Sequence, residues 1–170
     1  AARARAAKAG ELVQRGMLAE AVKELTRGLS VNPDDRDALD LLATAQAELG
    51  SPLEAVKALT RMKQADPSDL SVYFRLAQLY RRMNDPDAAL ASLKAVEATE
   101  GENPRAWEAI REIHLARAEM VPAYNEQKKL MKLRGKDASR ADQALFLALR
   151  YEKALVRLAE GKNDDADRRL

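Results

Sequence analysis

The sequence predicts an all-α protein made of stacked helix pairs, and three observations carry that prediction. Strand signals are missing: aromatic residues are 4% of the chain, Ala, Leu, Glu, Lys and Arg abound, and no Val/Ile/Thr/Tyr alternation occurs. The chain repeats itself at a step of 34 residues: GMLAEAVKEL at 16–25 returns as GSPLEAVKAL at 50–59, and VNPDD at 31–35 returns as ADPSD at 65–69. Five columns hold this phase: Gly16, Gly50 and Asn84; Ala21, Ala55, Ala89 and Ala123; Leu25, Leu59 and Leu93; Ala9, Ala43 and Ala77; Pro33 and Pro67. Finally, helix stop and start signals recur at fixed places within each period.

Each period reads as two helices. In the second, a helix over 35–49 places Leu39, Leu42, Ala43, Gln46 and Leu49 at helical spacing. Gly50 ends it, and Ser51, Pro52 and Glu54 supply a cap, a first helical residue and the reciprocal partner of a capping box. The next helix sets Leu53, Val56, Leu59 and Met62 on one stripe, and Pro67 forbids its continuation. In the third period Asp85 and Pro86 repeat the start signal. Gly101 replaces the closing proline there, and Asn103-Pro104 opens the fourth period, which has Ala118 in the glycine column. The in-phase alanines have a steric reason: helices joined by a tight turn cross closely, and small side chains admit the neighbour. After Gly135 the phase breaks. Gly161 and Ala166 restart it about nine residues late, so 138–159 reads as one helix of about 22 residues, longer than its predecessors. Stacked pairs share one core, so 1–170 is expected to be a single array with periods at about 2–34, 36–69, 70–103, 104–136 and a partial 138–170. A start without Met and an end without a polar capping helix read as a piece of a longer protein.

At LLATAQAELGSPLEAVKALTRMKQADP (41–67) and RLAQLYRRMNDPDAALASL (75–93), with Leu76-Ala77, Tyr80 and Trp107 in register, the chain resembles the tetratricopeptide repeat (TPR) family over almost its whole length. The resemblance implies a right-handed superhelical solenoid: four helix-turn-helix repeats plus a truncated fifth with an extended first helix. It also implies a concave face lined by the first helix of each pair. That face would hold Asp37, Asp40, Thr44, Ala47 and Glu48, then Ser71, Phe74, Gln78, Arg81 and Arg82, then Arg105, Glu108, Glu112 and Leu115, and finally Tyr151, Leu155 and Leu158. Partner-binding candidates are Phe74, Gln78, Arg81, Arg82, Arg105, Glu108, Glu112 and Tyr151, because aromatic and guanidinium groups dominate binding energy at interfaces. Some members of the family clamp a C-terminal carboxylate. The corresponding positions here hold Ala6, Gly10, Asp40, Thr44, Phe74 and Gln78, and only Arg75 matches, so no such clamp is expected.

The remaining chemistry is sparse. No GxGxxG, GxxxxGK[ST] or HExxH occurs, so no cofactor is expected, and no catalytic or metal site. Cysteine is absent. The single histidine, His114, reads as a half-buried packing residue lacking an orienting carboxylate other than ordinary helix-face glutamates. QKKLMKLRGK at 127–136 reads as a solvated face, Leu130, Met131 and Leu133 turning inward and Lys128, Lys129 and Lys132 outward. Asp164, Asp165 and Asp167 read as a helix start, without the spacing of a calcium loop. A net charge of +2, with both signs interspersed, does not predict a nucleic-acid partner, and no apolar run approaches the roughly 20 residues a membrane span needs.

The expected function is therefore a non-enzymatic scaffold that binds a partner protein or peptide on its concave face. High Ala and Arg content suits a bacterial assembly factor. LMKLRGKD…ALRYEKAL is similar to the TPR region of envelope-biogenesis scaffolds such as lipopolysaccharide assembly protein B or exopolysaccharide-secretion TPR proteins. The alternative is a self-assembling segment whose open C-terminal end or extended helix drives homo-oligomers. With no targeting segment in 1–170, cytoplasm and periplasm both stay open.

Overall fold

The computed structural model describes residues 2–160, and side chains from Ala4 onward. The expected signals at Gly161, Asp164, Asp165, Ala166, Asp167 and Leu170 lie outside the described residues. The described residues form helices and no strand: α1 (Ala2–Gln14), α2 (Leu18–Leu29), α3 (Arg36–Glu48), α4 (Pro52–Ala65), α5 (Leu70–Arg82), α6 (Pro86–Glu100), α7 (Pro104–Ala116), α8 (Met120–Arg134) and α9 (Arg140–Ala159). A 3-10 turn, Gly135–Asp137, joins α8 to α9. Contacts group the chain into two compact units, 1–99 and 100–170.

In the first unit α1 packs on α2, α2 on α3, α3 on α4 and α4 on α5. The repeated columns are its core. Ala9, Ala21, Leu25, Ala43, Ala55, Leu59 and Ala77 are all buried, and Leu39, Met62, Val72 and Leu76 fill the space between them. Successive pairs are also stapled by polar contacts. Arg36 pairs with Asp69, whose carboxylate also caps the start of α5. The Ser71 hydroxyl donates to Asp69 and, with Arg36, holds its carboxyl below the usual range.

Several local expectations change. Ser51 is the N-cap of α4, but its side chain makes no capping bond, and the Glu54 carboxylate accepts from Lys57 Nζ at 2.6 Å. The complete capping box occurs at α9 instead, where Ser139 and Asp142 satisfy each other's backbone N–H. That cap moves the start of the long helix from 138 to Arg140 and gives it 20 residues. Leu53 is exposed, because it lies six residues and so about 120° of helix from Leu59, and Ala55, Ala58, Leu59 and Met62 form the buried stripe. Leu49, at the C-cap of α3, and Leu133, next to the last residue of α8, are exposed as well. Lys129 turns out to be half-buried, with Nζ 5.6 Å from the Trp107 ring centroid and 2.9 Å from Glu126.

The glycine column has a conformational cause. Gly16, Gly50, Asn84 and Ala118 have φ of 73°, 75°, 58° and 56°. At each, the following N–H reaches back to the same helical carbonyl: Met17 to Leu12, Ser51 to Gln46, Asp85 to Tyr80 and Glu119 to His114, all at 2.8–2.9 Å. This Schellman closure requires a left-handed residue, which glycine adopts freely, asparagine tolerates and alanine resists. Ala118→Gly should accordingly raise stability by about 0.5–1 kcal/mol, the relief of left-handed strain exceeding the entropy glycine adds to the unfolded chain. Urea unfolding measures it, and a destabilised variant would show that Ala118 is unstrained.

Candidate functional site

In the first unit, α3 and α5 enclose a cavity of about 260 Å³. Its floor is apolar: Ala43, Ala47, Leu59 and Leu79. Its rim is polar: Thr44, Glu48, Arg75, Gln78 and Arg82. The repeat places them. Ala43 and Ala47 are one turn apart on α3, while Arg75, Gln78, Leu79 and Arg82 follow helical spacing on α5. A shallower hollow beside it is lined by Gln78, Arg81 and Arg82. Three of the four candidates from α5 therefore border one open surface, and Gln78, Arg81 and Arg82 are exposed. Phe74 is half-buried and engaged with neighbouring groups.

Arg75, the only residue matching a carboxylate clamp, is already committed. Its guanidinium pairs with Asp40 and donates to the Thr44 hydroxyl at 3.1 Å, and burial pulls it below the ordinary arginine value. It joins α5 to α3 rather than offering two open donors. Arg82 behaves differently. Its side chain is exposed and reaches across to the Ala47 carbonyl through a single 3.3 Å bond, one that a ligand's acceptor can replace at little cost. A second hollow in this unit has Ala6, Ala7 and Gly10 on one side and Asn32, Asp35, Asp37 and Leu41 on the other.

The candidates of the second unit are arranged less uniformly. Arg105 and Glu112 are exposed on α7 and take part in local interactions. Glu108 pairs with Arg134 of α8, which also donates to Asp142 at 2.8 Å. Although burial works against it, Arg134 is held above the ordinary value by these two carboxylates. Asp142 lies below its ordinary range, first through the Ser139 hydroxyl and then through Arg134. Glu108 is thus a structural link between α7 and α8 as well as a surface group. Tyr151 is 65% exposed on α9. His114 corrects the sequence reading: its Nδ1 lies 2.6 Å from Glu119, which stands at the N-cap of α8 and also meets Arg117 at 2.9 Å. A five-residue separation bridged by the left-handed turn at Ala118 brings the two together, a contact that helix periodicity does not reveal.

A feature the sequence reading missed lies in the fourth repeat. The alanine column Ala9, Ala43, Ala77 continues at Arg111, and the leucine column Leu25, Leu59, Leu93 continues at Gln127. Gln127 is fully buried, accepts from Arg111 and donates to the Asp142 carbonyl at 3.0 Å. One apolar pair is replaced by one hydrogen-bonded pair. Extending both columns by one more step would have exposed it.

Among the described residues no group of His, Asp and Glu has metal-binding geometry, and no helix is long and apolar enough to cross a membrane. The structure is a helical-repeat protein with its repeats in helix pairs. The family model for the tetratricopeptide repeat matches residues 46–113. The fold is shared with solved TPR structures. One is a tetratricopeptide repeat protein from Parabacteroides merdae, with a TM-score of 0.73 and 18% identity over 89% of this chain and 60% of that one. The MamA protein has a TM-score of 0.66 and 16% identity over 98% and 86%. The first TPR of Spaghetti, solved bound to an HSP90 peptide, has a TM-score of 0.59 and 20% identity over 69% and 93%. None of these three is described as an envelope-biogenesis scaffold. A search of curated protein sequences finds no match.

Proposed function

We propose that this chain is a protein-interaction module rather than an enzyme, and that the inner face of its first helices holds an extended segment of a partner protein. The cavity between α3 and α5 carries the reading. Its size suits one aliphatic or aromatic side chain, its floor is apolar, and Thr44, Gln78 and Arg82 stand around the rim to meet a peptide's backbone and any flanking carboxylate. Phe74, Gln78, Arg81 and Arg82 form the primary contact surface. Within the second unit, taken by itself, Arg105, Glu108 and Glu112 on α7 and Tyr151 on α9 are the candidate contacts. The peptide-bound Spaghetti TPR shares the fold and supports the reading by analogy. Service within a larger bacterial assembly factor, of the envelope-biogenesis kind suggested by LMKLRGKD…ALRYEKAL, is the narrower form of the same proposal.

The test is capture of a partner by the whole chain, compared with a variant carrying Ala47→Arg and Arg82→Ala. The new side chain fills the slot and the lost one removes the rim donor. Binding should fall by tenfold or more, about the effect of one hot-spot residue, while helicity and unfolding midpoint stay unchanged. A partner held equally by the folded variant would move the binding surface away from this cavity.

A further inference from the structure

Glu48 and Arg82 stand at the same position of neighbouring repeats, 34 residues apart, and line the α3–α5 cavity from its two sides. The column runs Gln14, Glu48, Arg82, Ala116, so the two repeats that form the cavity are the two that carry a charge there, and the charges are opposite. Both residues are exposed. No ion pair joins them. Arg82 donates to the Ala47 carbonyl instead, and the Glu48 carboxylate is without a partner among the described residues. Arg75, the other cation of the rim, is tied to Asp40 and Thr44. The cavity thus has an apolar floor, an uncommitted anion on the α3 side and a weakly held cation on the α5 side. Both helices are interior to the first unit, preceded by α1 and α2 and followed by α6.

We propose that the segment held there is charge-polarised: an apolar anchor in the cavity, a basic residue over Glu48 and an acidic residue over Arg82. This rests on the reading of the cavity as a segment-binding site and names which segments it takes. Spacing follows from strand geometry. In an extended chain alternate side chains share a face, so the residues two before and two after the anchor point the same way as it does, about 13 Å apart. Arg82 alone spans the gap between α5 and α3, so flanks at that separation overlie both rims. Arg82 leaves the Ala47 carbonyl for the incoming carboxylate, because an arginine–carboxylate pair can be bidentate whereas the carbonyl takes one bond. A segment of either chain sense meets the pattern, since the charges fix only which flank lies over which helix. Two acidic flanks would set one carboxylate beside Glu48, and two basic flanks one cation beside Arg82. Like-charge juxtaposition excludes both.

The test uses the whole chain and a displayed library of random ten-residue peptides. On the native protein, selection should enrich an apolar residue with Lys or Arg two positions to one side and Asp or Glu two positions to the other. Arg82→Glu makes both rims acidic and should shift selection to basic residues on both flanks. Glu48→Arg makes both rims basic and should shift it to acidic ones. A synthetic peptide taken from the native selection should bind each variant at least about tenfold more weakly, and reversing its like-charged flank should recover the loss. Both side chains are exposed, so helicity and the unfolding midpoint should match the native protein. The variant carrying Ala47→Arg and Arg82→Ala separates the outcomes. Enriched peptides that need the open cavity but keep the same flanks on all three proteins overturn the charge polarity and leave the cavity as the binding site. Peptides that bind the blocked variant equally well, or a library that enriches nothing, overturn the cavity reading itself and this proposal with it.

Discussion

Replacing Gln127 by leucine, the residue of the same column in the three preceding repeats, should destabilise the protein by about 2 kcal/mol. A buried leucine would add apolar contact, but it leaves the Arg111 guanidinium, whose Nε is already buried without a partner, with one bond fewer in a low-dielectric setting. A buried donor deprived of its acceptor costs about 1–3 kcal/mol, more when it is charged. Arg111→Ala should cost a similar amount, by stranding the Gln127 carbonyl and opening a void. The double variant, Arg111→Ala with Gln127→Leu, puts back the residue types that the two columns hold as Ala9 and Leu25, Ala43 and Leu59, and Ala77 and Leu93, all of them buried. It should recover most of the loss, because neither partner is then left with an unmade hydrogen bond. The coupling energy from urea unfolding of the four proteins should therefore reach about 2 kcal/mol or more in favour of compensation. Additive losses would show that the two residues act independently.

The helix pairs, their boundaries and most of the core were legible because one rule is written several times. A column that is glycine twice and asparagine once states a backbone conformation, and a column of four alanines states a close crossing. What escaped the sequence reading was set by contacts between columns or outside them. Arg111 and Gln127 are each an exception in its own column, and they make sense only together. The His114–Glu119 contact depends on a left-handed alanine, and alanine carries no sequence signal for that conformation. The cap at Ser51 has the right letters without the bond, while Ser139 and Asp142 make both bonds with the acidic residue one methylene shorter than the usual glutamate. On the inner face the residue types were readable, and their engagement was not. Arg75 and Arg82 look alike in sequence. Only the structure shows Arg75 tied to Asp40 and Thr44, with Arg82 held by one bond to a carbonyl.

Ala55→Leu should cost about 1–3 kcal/mol, whereas Leu53→Ala, two residues away on the same helix, should cost less than about 0.5 kcal/mol. By composition alone the order would be reversed, since the first change adds apolar bulk and the second removes it. Position decides. Ala55 is fully buried where α4 lies against α3, in the column it shares with Ala21, Ala89 and Ala123. Three added carbons there must either push the two helix axes apart or force neighbouring side chains off their rotamers, because the interior is close-packed and has no free volume to give. The displacement also reaches the cavity between α3 and α5, since Leu59, one turn along α4, lines it together with Ala43 of α3. Ala55→Leu should therefore weaken partner binding as well as stability, while Leu53→Ala should leave both unchanged. Chemical unfolding of the two variants, run beside the capture assay, separates the outcomes. If Ala55→Leu were neutral in both, the alanine column would not be setting the distance between helices.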